Sequence, residues 1–244
     1  STKVLRIIGL PKTQSAYKEG MVLGDIWGLQ FDRFLTEDDF NADGSLKAGL
    51  PDQTKVFPAG YQFAPGDVLY KDLDNNGEIV KQTNTNDKGD LSVIGNALPR
   101  LQFGLNLDAA WKGFDISMFF QGVAKRKLWA AGNQVLPGFT TGEPFYKGAE
   151  DYWTPENTDA FYPRPMDYKQ SASGNYSVND RYLLNMAYLR LKTFTVGYSL
   201  PKVWLSKFKV QGLRVYFTGE NLFTIDGVKP AIDPEIGIRT ASGK

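Results

Sequence analysis

Residues 98–123, LPRLQFGLNLDAAWKGFDISMFFQGV, carry the most regular alternation of apolar and polar positions in the chain. Leu101, Phe103, Leu105, Leu107, Ala109 and Trp111 alternate with Gln102, Gly104, Asn106, Asp108 and Ala110. A period of two puts the first set in one apolar row on one strand face. After Lys112-Gly113, Phe114, Ile116, Met118 and Phe120 alternate with Asp115, Ser117 and Gln121, which predicts a hairpin with matching faces, and only Phe119 breaks the pattern. Residues 188–223 repeat it. Phe194, Val196, Tyr198 and Leu200 oppose Thr193, Thr195, Gly197 and Ser199; on the return arm Leu213, Val215 and Phe217 oppose Arg214, Tyr216, Thr218 and Glu220. Pro201, Trp204, Lys202, Lys207 and Lys209 make the turn, with Trp204 and Tyr198 placed as interface aromatics.

Each arm of the first hairpin is about ten residues, which at roughly 3.3 Å per residue and a tilt near 40° rises about 25 Å, the apolar height of an outer membrane. A soluble β-sandwich shows the same alternation and is far commoner, so the hairpin leaves both open. In the membrane reading Leu101, Phe103, Leu105, Leu107, Ile116, Met118, Val196, Val215 and Phe217 face lipid. Gln102, Asn106, Ser117, Thr195, Arg214 and Glu220 then face a wet interior, because Arg214 and Glu220 are too costly against hydrocarbon.

The rest of the chain alternates less. Residues 4–10 read as the end of a strand, residues 21–34 as one or two short strands broken at Gly24 and Gly28, and Thr36-Glu37-Asp38-Asp39 as a helix-start box, with little core on offer. Residues 41–65 read as loop. Within residues 66–80, Asp72, Asp74, Asn76, Gly77 and Ile79 reproduce the first half of a calcium loop: oxygens at alternate positions, a glycine for the sharp turn, an apolar anchor. Thr83 stands where a complete loop has its bidentate Glu. The candidate Ca2+ ligands are Asp72, Asp74, Asn76 and Glu78, with Asp87 and Asp90 closing the cage from downstream. An Asp/Asn-rich turn held by its own side-chain hydrogen bonds is the alternative. Residues 124–180 form a second long stretch of loop character studded with aromatics, including Trp129, Tyr152, Trp153 and Tyr162; packing the loop against itself accounts for most of them.

Composition removes several classes of function. The chain has no Cys and no His, so thiolate metal sites, a cysteine nucleophile, serine-histidine triads and histidine acid/base chemistry are impossible within it. Lys plus Arg at 28 against Asp plus Glu at 27 gives a net charge of +1, and no nucleic-acid partner is implied. A glycosidic carboxylate pair among Glu143, Glu150, Asp151, Glu156 and Asp159 is not singled out by any spacing. Mean hydropathy is −0.34 and no apolar run approaches the roughly 18 residues of a membrane helix. A membrane β-barrel remains open, and 12 Tyr with 16 Phe suit interface girdles as well as sugar-stacking surfaces. A start at Ser1 reads as a piece of a longer chain.

In order along the chain, GDVLYKDLDNNGEI, IGNALPRLQFGLNLDAAWKGFDISMFFQGV, YWTPENTDAFYPR, AYLRLKTFTVGYSLPK and LRVYFTGENLFTI with DPEIG resemble the C-terminal part of the SusC/RagA family of TonB-linked outer-membrane proteins. The resemblance implies an all-β fold, the C-terminal segment of a transmembrane barrel of about 22 strands with a plug in its lumen. It implies energy-dependent import of oligosaccharides or peptides across the outer membrane with a SusD-like surface lipoprotein, and no enzymatic activity. The plug, the TonB-contacting N-terminal part and the family's final strand have no counterpart here. The family topology makes residues 10–97, 124–186 and 224–244 extracellular loops, and puts the calcium-like loop and the candidate substrate residues Trp129, Tyr152, Trp153 and Tyr162 where substrate and lipoprotein meet. A soluble β-sandwich that binds carbohydrate, an adhesin-like domain, is the competing architecture.

Overall fold

A computed structural model describes residues 22–81, 89–130, 132, 135–139, 148–166, 174–229 and 232–235. The strands are β1 (Asp25–Gly28), β2 (Phe31–Phe34), β3 (Val68–Tyr70), β4 (Ser92–Asn96), β5 (Leu101–Trp111), β6 (Phe114–Ala124), β7 (Lys127–Leu128), β8 (Leu184–Asn185), β9 (Tyr188–Ser199) and β10 (Arg214–Asp226). The expected strand at residues 4–10 lies outside the described residues.

The two long hairpins lie side by side in one antiparallel sheet of order β10-β9-β6-β5. Lys112 and Gly113 join β5 to β6 with φ of 48° and 91°. Positive φ at both central residues is the primed turn whose twist suits two flanking strands. The register then settles the faces. Leu105 pairs with Phe120, Leu107 with Met118, Ile116 with Val196, and Val196 with Phe217. Directly paired residues share a face, so one apolar row runs unbroken across four strands. The other face pairs Asp108 with Ser117, Ser117 with Thr195 and Thr195 with Thr218, and it carries Arg214 and Glu220. Phe119, out of pattern, lies on this polar face, where its ring covers Gly104.

One irregularity crosses the sheet. On β9 the apolar row passes from Leu189 and Leu191 to Phe194 and Val196, which changes parity, and the register shifts there against both β6 and β10. Lys192 is the extra residue on β9, and Asn221, at φ 52°, lies in the matching irregularity of β10. The bulge keeps the apolar row continuous and re-aims Lys192.

Gly197 has a defined use on the polar face. Arg214 reaches across β9 to form a bidentate ion pair with Asp115 on β6, and a Cβ at position 197 would lie 2.5 Å from the guanidinium. The absence of a side chain there opens the crossing.

Leu101, Phe103, Leu105, Leu107, Ile116, Val215 and Phe217 are exposed, and the other sheets are two-stranded pairs, β1-β4, β2-β3 and β7-β8. No second sheet covers the apolar row among the described residues, so the β-sandwich alternative lacks its defining partner.

The long connections depart from expectation. The stretch up to Asp39 reads as offering little core, yet Leu29 and Leu35 are fully buried, as are Val68, Tyr70 and Ile79 farther along. Two apolar clusters form among the described residues: Leu29, Phe57, Val68, Tyr70, Ile79 and Trp153 belong to one, and Leu128, Leu136, Tyr162, Tyr176, Tyr182 and Met186 to the other. Segments remote in sequence supply the cover, and period within one segment cannot reveal that. The helix-start box is real but short: Glu37–Asp39 form one 3-10 turn, and Asp39 accepts from the Thr36 amide at 2.8 Å and from Arg33 at 2.6 Å. The Arg33 hydrogen bonds chiefly push the Asp39 carboxyl down to about 2.

Candidate functional site

The chain passes from β5 to β6 and from β9 to β10 at one end of the sheet, and the connections before β5 and between β6 and β9 start from the other. The loop end therefore holds both the acidic turn and the aromatic stretch.

The acidic turn is built by its own side chains. Asp72 accepts from the amides of Asn75 at 2.7 Å and Gly77 at 2.8 Å, and Asp74 from the amide of Asn76 at 3.1 Å. Gly77, at φ 85°, supplies the sharp bend. Asp90 is fully buried and accepts from Leu73 at 2.8 Å and Val80 at 2.7 Å, tying the two sides of the turn together. Carboxylate oxygens of Asp72, Asp74 and Asp90 lie within 4.8 Å of one another. Desolvation first, then the charges of Asp90 and Asp72, raise the Asp74 carboxyl above its usual range.

The other expected metal ligands are placed differently. The Glu78 carboxylate pairs with Lys55, and the Asn76 side-chain oxygen accepts from the Glu78 amide at 2.8 Å. Asp87 lies outside the described residues.

The four expected substrate residues are not equivalent. Trp153 is 7% exposed and Tyr162 is 4% exposed, and both belong to the apolar clusters. Trp153 lies over Gly66, where a Cβ would meet its ring at 2.5 Å; Tyr162 stacks on Tyr182 with ring centroids 5.9 Å apart. Both rings pack into the loop body in this structure, the alternative that the sequence offered for most of these aromatics. Their alternation with the exposed neighbour Tyr152, 40% exposed, follows from the Trp153 amide donating to the Tyr162 carbonyl at 3.0 Å. Trp129 is half-buried against the Tyr162 cluster. Tyr152, with the partly open Trp129, is what remains for a ligand to touch.

Two charged constellations escaped sequence reading. In the first, fully buried Asp67 accepts from Arg164 at 2.8 Å, Tyr61 at 2.9 Å, Asn175 at 3.0 Å and the Ala64 amide at 2.9 Å. In the second, Arg190 on the polar face donates to Thr224 at 2.6 Å, Asp233 at 2.7 Å and Glu235 at 2.9 Å, while Lys192 on the bulge donates to Glu235 at 2.7 Å. This draws the segment after β10 back over the sheet. The DPEIG run was the available signal for it, as were Arg190 and Lys192, the two cations of β9. A cavity of about 340 Å³ lies beside β4, lined by Asp25, Val93, Asn96, Arg100, Lys125 and Lys127. None of the four expected substrate residues lines it.

No family model matches the chain. It is 29% identical over 236 residues to "TonB-dependent receptor P3" of Formosa agariphila, covering 94% of this chain and 20% of that protein. It is 25% identical over 210 residues to "TonB-dependent receptor SusC" of Bacteroides thetaiotaomicron, covering 82% of this chain and 20% of that one. Among solved structures it is similar to a chain of the RagAB peptide importer in its 'open-open' state, with a TM-score of 0.58, 17% identity, and coverage of 95% of this chain and 22% of that one. The chain thus spans about a fifth of the length of the curated relatives it matches. Those relatives are TonB-dependent receptors, and the fold shared with the importer chain is an open, mostly antiparallel β-structure that covers about a fifth of it. Along nearly its whole length the chain is thus similar in sequence to TonB-dependent receptors, SusC among them, and it shares its fold with part of a RagAB importer chain.

Proposed function

We propose that this chain is part of an outer-membrane importer that takes up oligosaccharides or peptides, driven through TonB and working with a SusD-like surface lipoprotein. One observation carries the reading: a four-stranded sheet with one continuous exposed apolar row and one polar row, in a chain similar to TonB-dependent receptors over 94% of its length. In this reading the apolar row contacts membrane lipid, the polar row with Arg214, Asp115 and Glu220 lines the lumen, and the loop body faces outward. The exposed ring of Tyr152 and the open part of Trp129 offer stacking surface to sugars or peptide side chains. The test is uptake of labelled oligosaccharides and peptides by cells carrying the full-length receptor, with co-purification of its lipoprotein. Cells lacking the receptor should lose uptake of one of the two classes. Unchanged uptake of both, with no co-purifying lipoprotein, sinks the proposal.

The acidic turn is part of the same proposal, as a structural calcium site held by Asp72, Asp74 and Asp90. Three carboxylates within 4.8 Å suit a hard cation that takes six to eight oxygens. The ion would supply loop rigidity and no chemistry. Calorimetry on the full-length receptor should show a calcium heat that Asp74→Asn weakens at least tenfold in affinity. Absence of any heat sensitive to position 74 would mean that the amide hydrogen bonds alone hold the turn.

A further inference from the structure

The link from β9 to β10, residues 200–213, is longer and less polar than a connection requires. Its sequence, LPKVWLSKFKVQGL, contains three lysines and no acid. It folds as a helical turn over Lys202–Leu205 followed by a 3-10 turn over Ser206–Phe208, closed by Lys209 at φ 55° and by the Val210 amide on the Leu205 carbonyl at 3.3 Å. Leu205 is buried beneath it. Val203, Trp204 and Phe208 point outward; Trp204 is 59% exposed and Phe208 is 76% exposed. Lys202, Lys207 and Lys209 form no ion pair among the described residues.

The neighbouring turn repeats this chemistry. Trp111 is exposed with the Lys112 ammonium 4.7 Å from its ring, and the Phe114 and Tyr198 rings meet at 4.5 Å on the apolar row beside it. Asp115, the acid nearest this end on β6, is taken by Arg214. The turn end thus sets exposed aromatic rings and unpaired ammonium groups just beyond the last apolar positions of the sheet. Water disfavours the rings, and hydrocarbon disfavours the lysines. The headgroup layer of a bilayer suits both: rings at the carbonyl level and long lysine stems reaching outward to phosphate.

We propose that residues 200–213, together with Trp111 and Lys112, form a membrane-surface anchor that gathers anionic phospholipid in the leaflet at the turn end. The proposal rests on the barrel reading and adds a lipid preference to it. Continuity with the apolar row and the charge of the four lysines commit the surface to lipid phosphate.

The test uses the full-length receptor in phosphatidylcholine vesicles containing one lipid, either phosphatidylglycerol or phosphatidylcholine at the same fraction, brominated high on its acyl chains. The emission of Trp204 is isolated as the difference between the wild type and Trp204→Phe. Brominated phosphatidylglycerol should quench Trp204 at least twofold more than brominated phosphatidylcholine. Replacing Lys202, Lys207 and Lys209 together by Gln should bring the two to parity. Equal quenching in the wild type overturns the anionic-lipid contact. Quenching by aqueous acrylamide and by neither lipid overturns the anchor, provided that a tryptophan introduced by Leu107→Trp is quenched by lipid. If that tryptophan is also untouched by lipid, the barrel reading fails and the anchor falls with it.

Discussion

Replacing Arg164 by Ala is expected to loosen the loop body more than any other single surface-reaching change. Asp67 is fully buried, and Arg164 is its one ion-pair partner among the described residues, with Nε 2.8 Å and a terminal nitrogen 3.2 Å from the two carboxylate oxygens. Removing one partner of a buried pair leaves the other charge uncompensated, at a cost of about 3 to 5 kcal/mol. Tyr61, Asn175 and the Ala64 amide still donate to Asp67, so the lower end of that range applies. The same Asn175 accepts from the Val68 amide at 2.8 Å, so the loss reaches β3. Hydrogen exchange on the full-length receptor reads it: amides of residues 61–70 and 174–177 should exchange roughly a hundredfold faster, as about 3 kcal/mol of local opening implies. Lys55→Ala is the contrast and should leave these amides unchanged, because Lys55 and Glu78 are both about half exposed and solvent screens the pair. Equal effects at the two positions would show that the Asp67 network is not what holds these loops.

The contrast between these two ion pairs also shows where sequence reasoning succeeds and where it stops. The sheet was legible because its information is local: Leu101 to Leu107 repeat every second residue, and a strand turns that period directly into a face. Even Arg214 and Glu220 announced their face, since each alternates with the apolar row and is too costly against hydrocarbon. The β6-β9 pairing was not legible, because which hairpin lies beside which is a matter of topology rather than period. The bulge at Lys192 was hidden for a related reason: an extra residue changes parity without changing composition. In the loop body the decisive contacts join Asp67 to Arg164 and Tyr70 to the Gly174 carbonyl, about a hundred residues apart. No window of sequence contains both partners. Trp153 and Tyr162 illustrate the consequence: the sequence left them between packing the loop and touching a ligand, and remote segments bury them. The acidic turn lies between these cases. Its Asp72, Asp74 and Gly77 spacing is local and gave a real turn, whereas the third carboxylate comes from Asp90, beyond the run that resembles a calcium loop.

Leu105→Arg and Asn106→Ala, made separately in the full-length receptor, should differ sharply although the residues are adjacent. Leu105 lies mid-strand on β5, paired with Phe120, and is exposed on the apolar row that continues through Leu191 and Phe223. In a bilayer that row meets hydrocarbon, and an arginine near the midplane of a barrel costs about 2 to 4 kcal/mol. Asn106 pairs with Phe119 on the opposite face, beside Asp108, Ser117 and Thr195, where water in the lumen solvates whatever replaces it. Its truncation should cost less than about 0.5 kcal/mol. Equilibrium unfolding into denaturant from lipid vesicles measures both. The sign of the difference matters more than its size, since β5 is a single strand and both substitutions disturb the same backbone ladder equally. If the arginine at 105 is tolerated as well as the alanine at 106, the apolar row does not face lipid. The exposed Leu101, Phe103 and Leu107 would then need a protein partner to cover them.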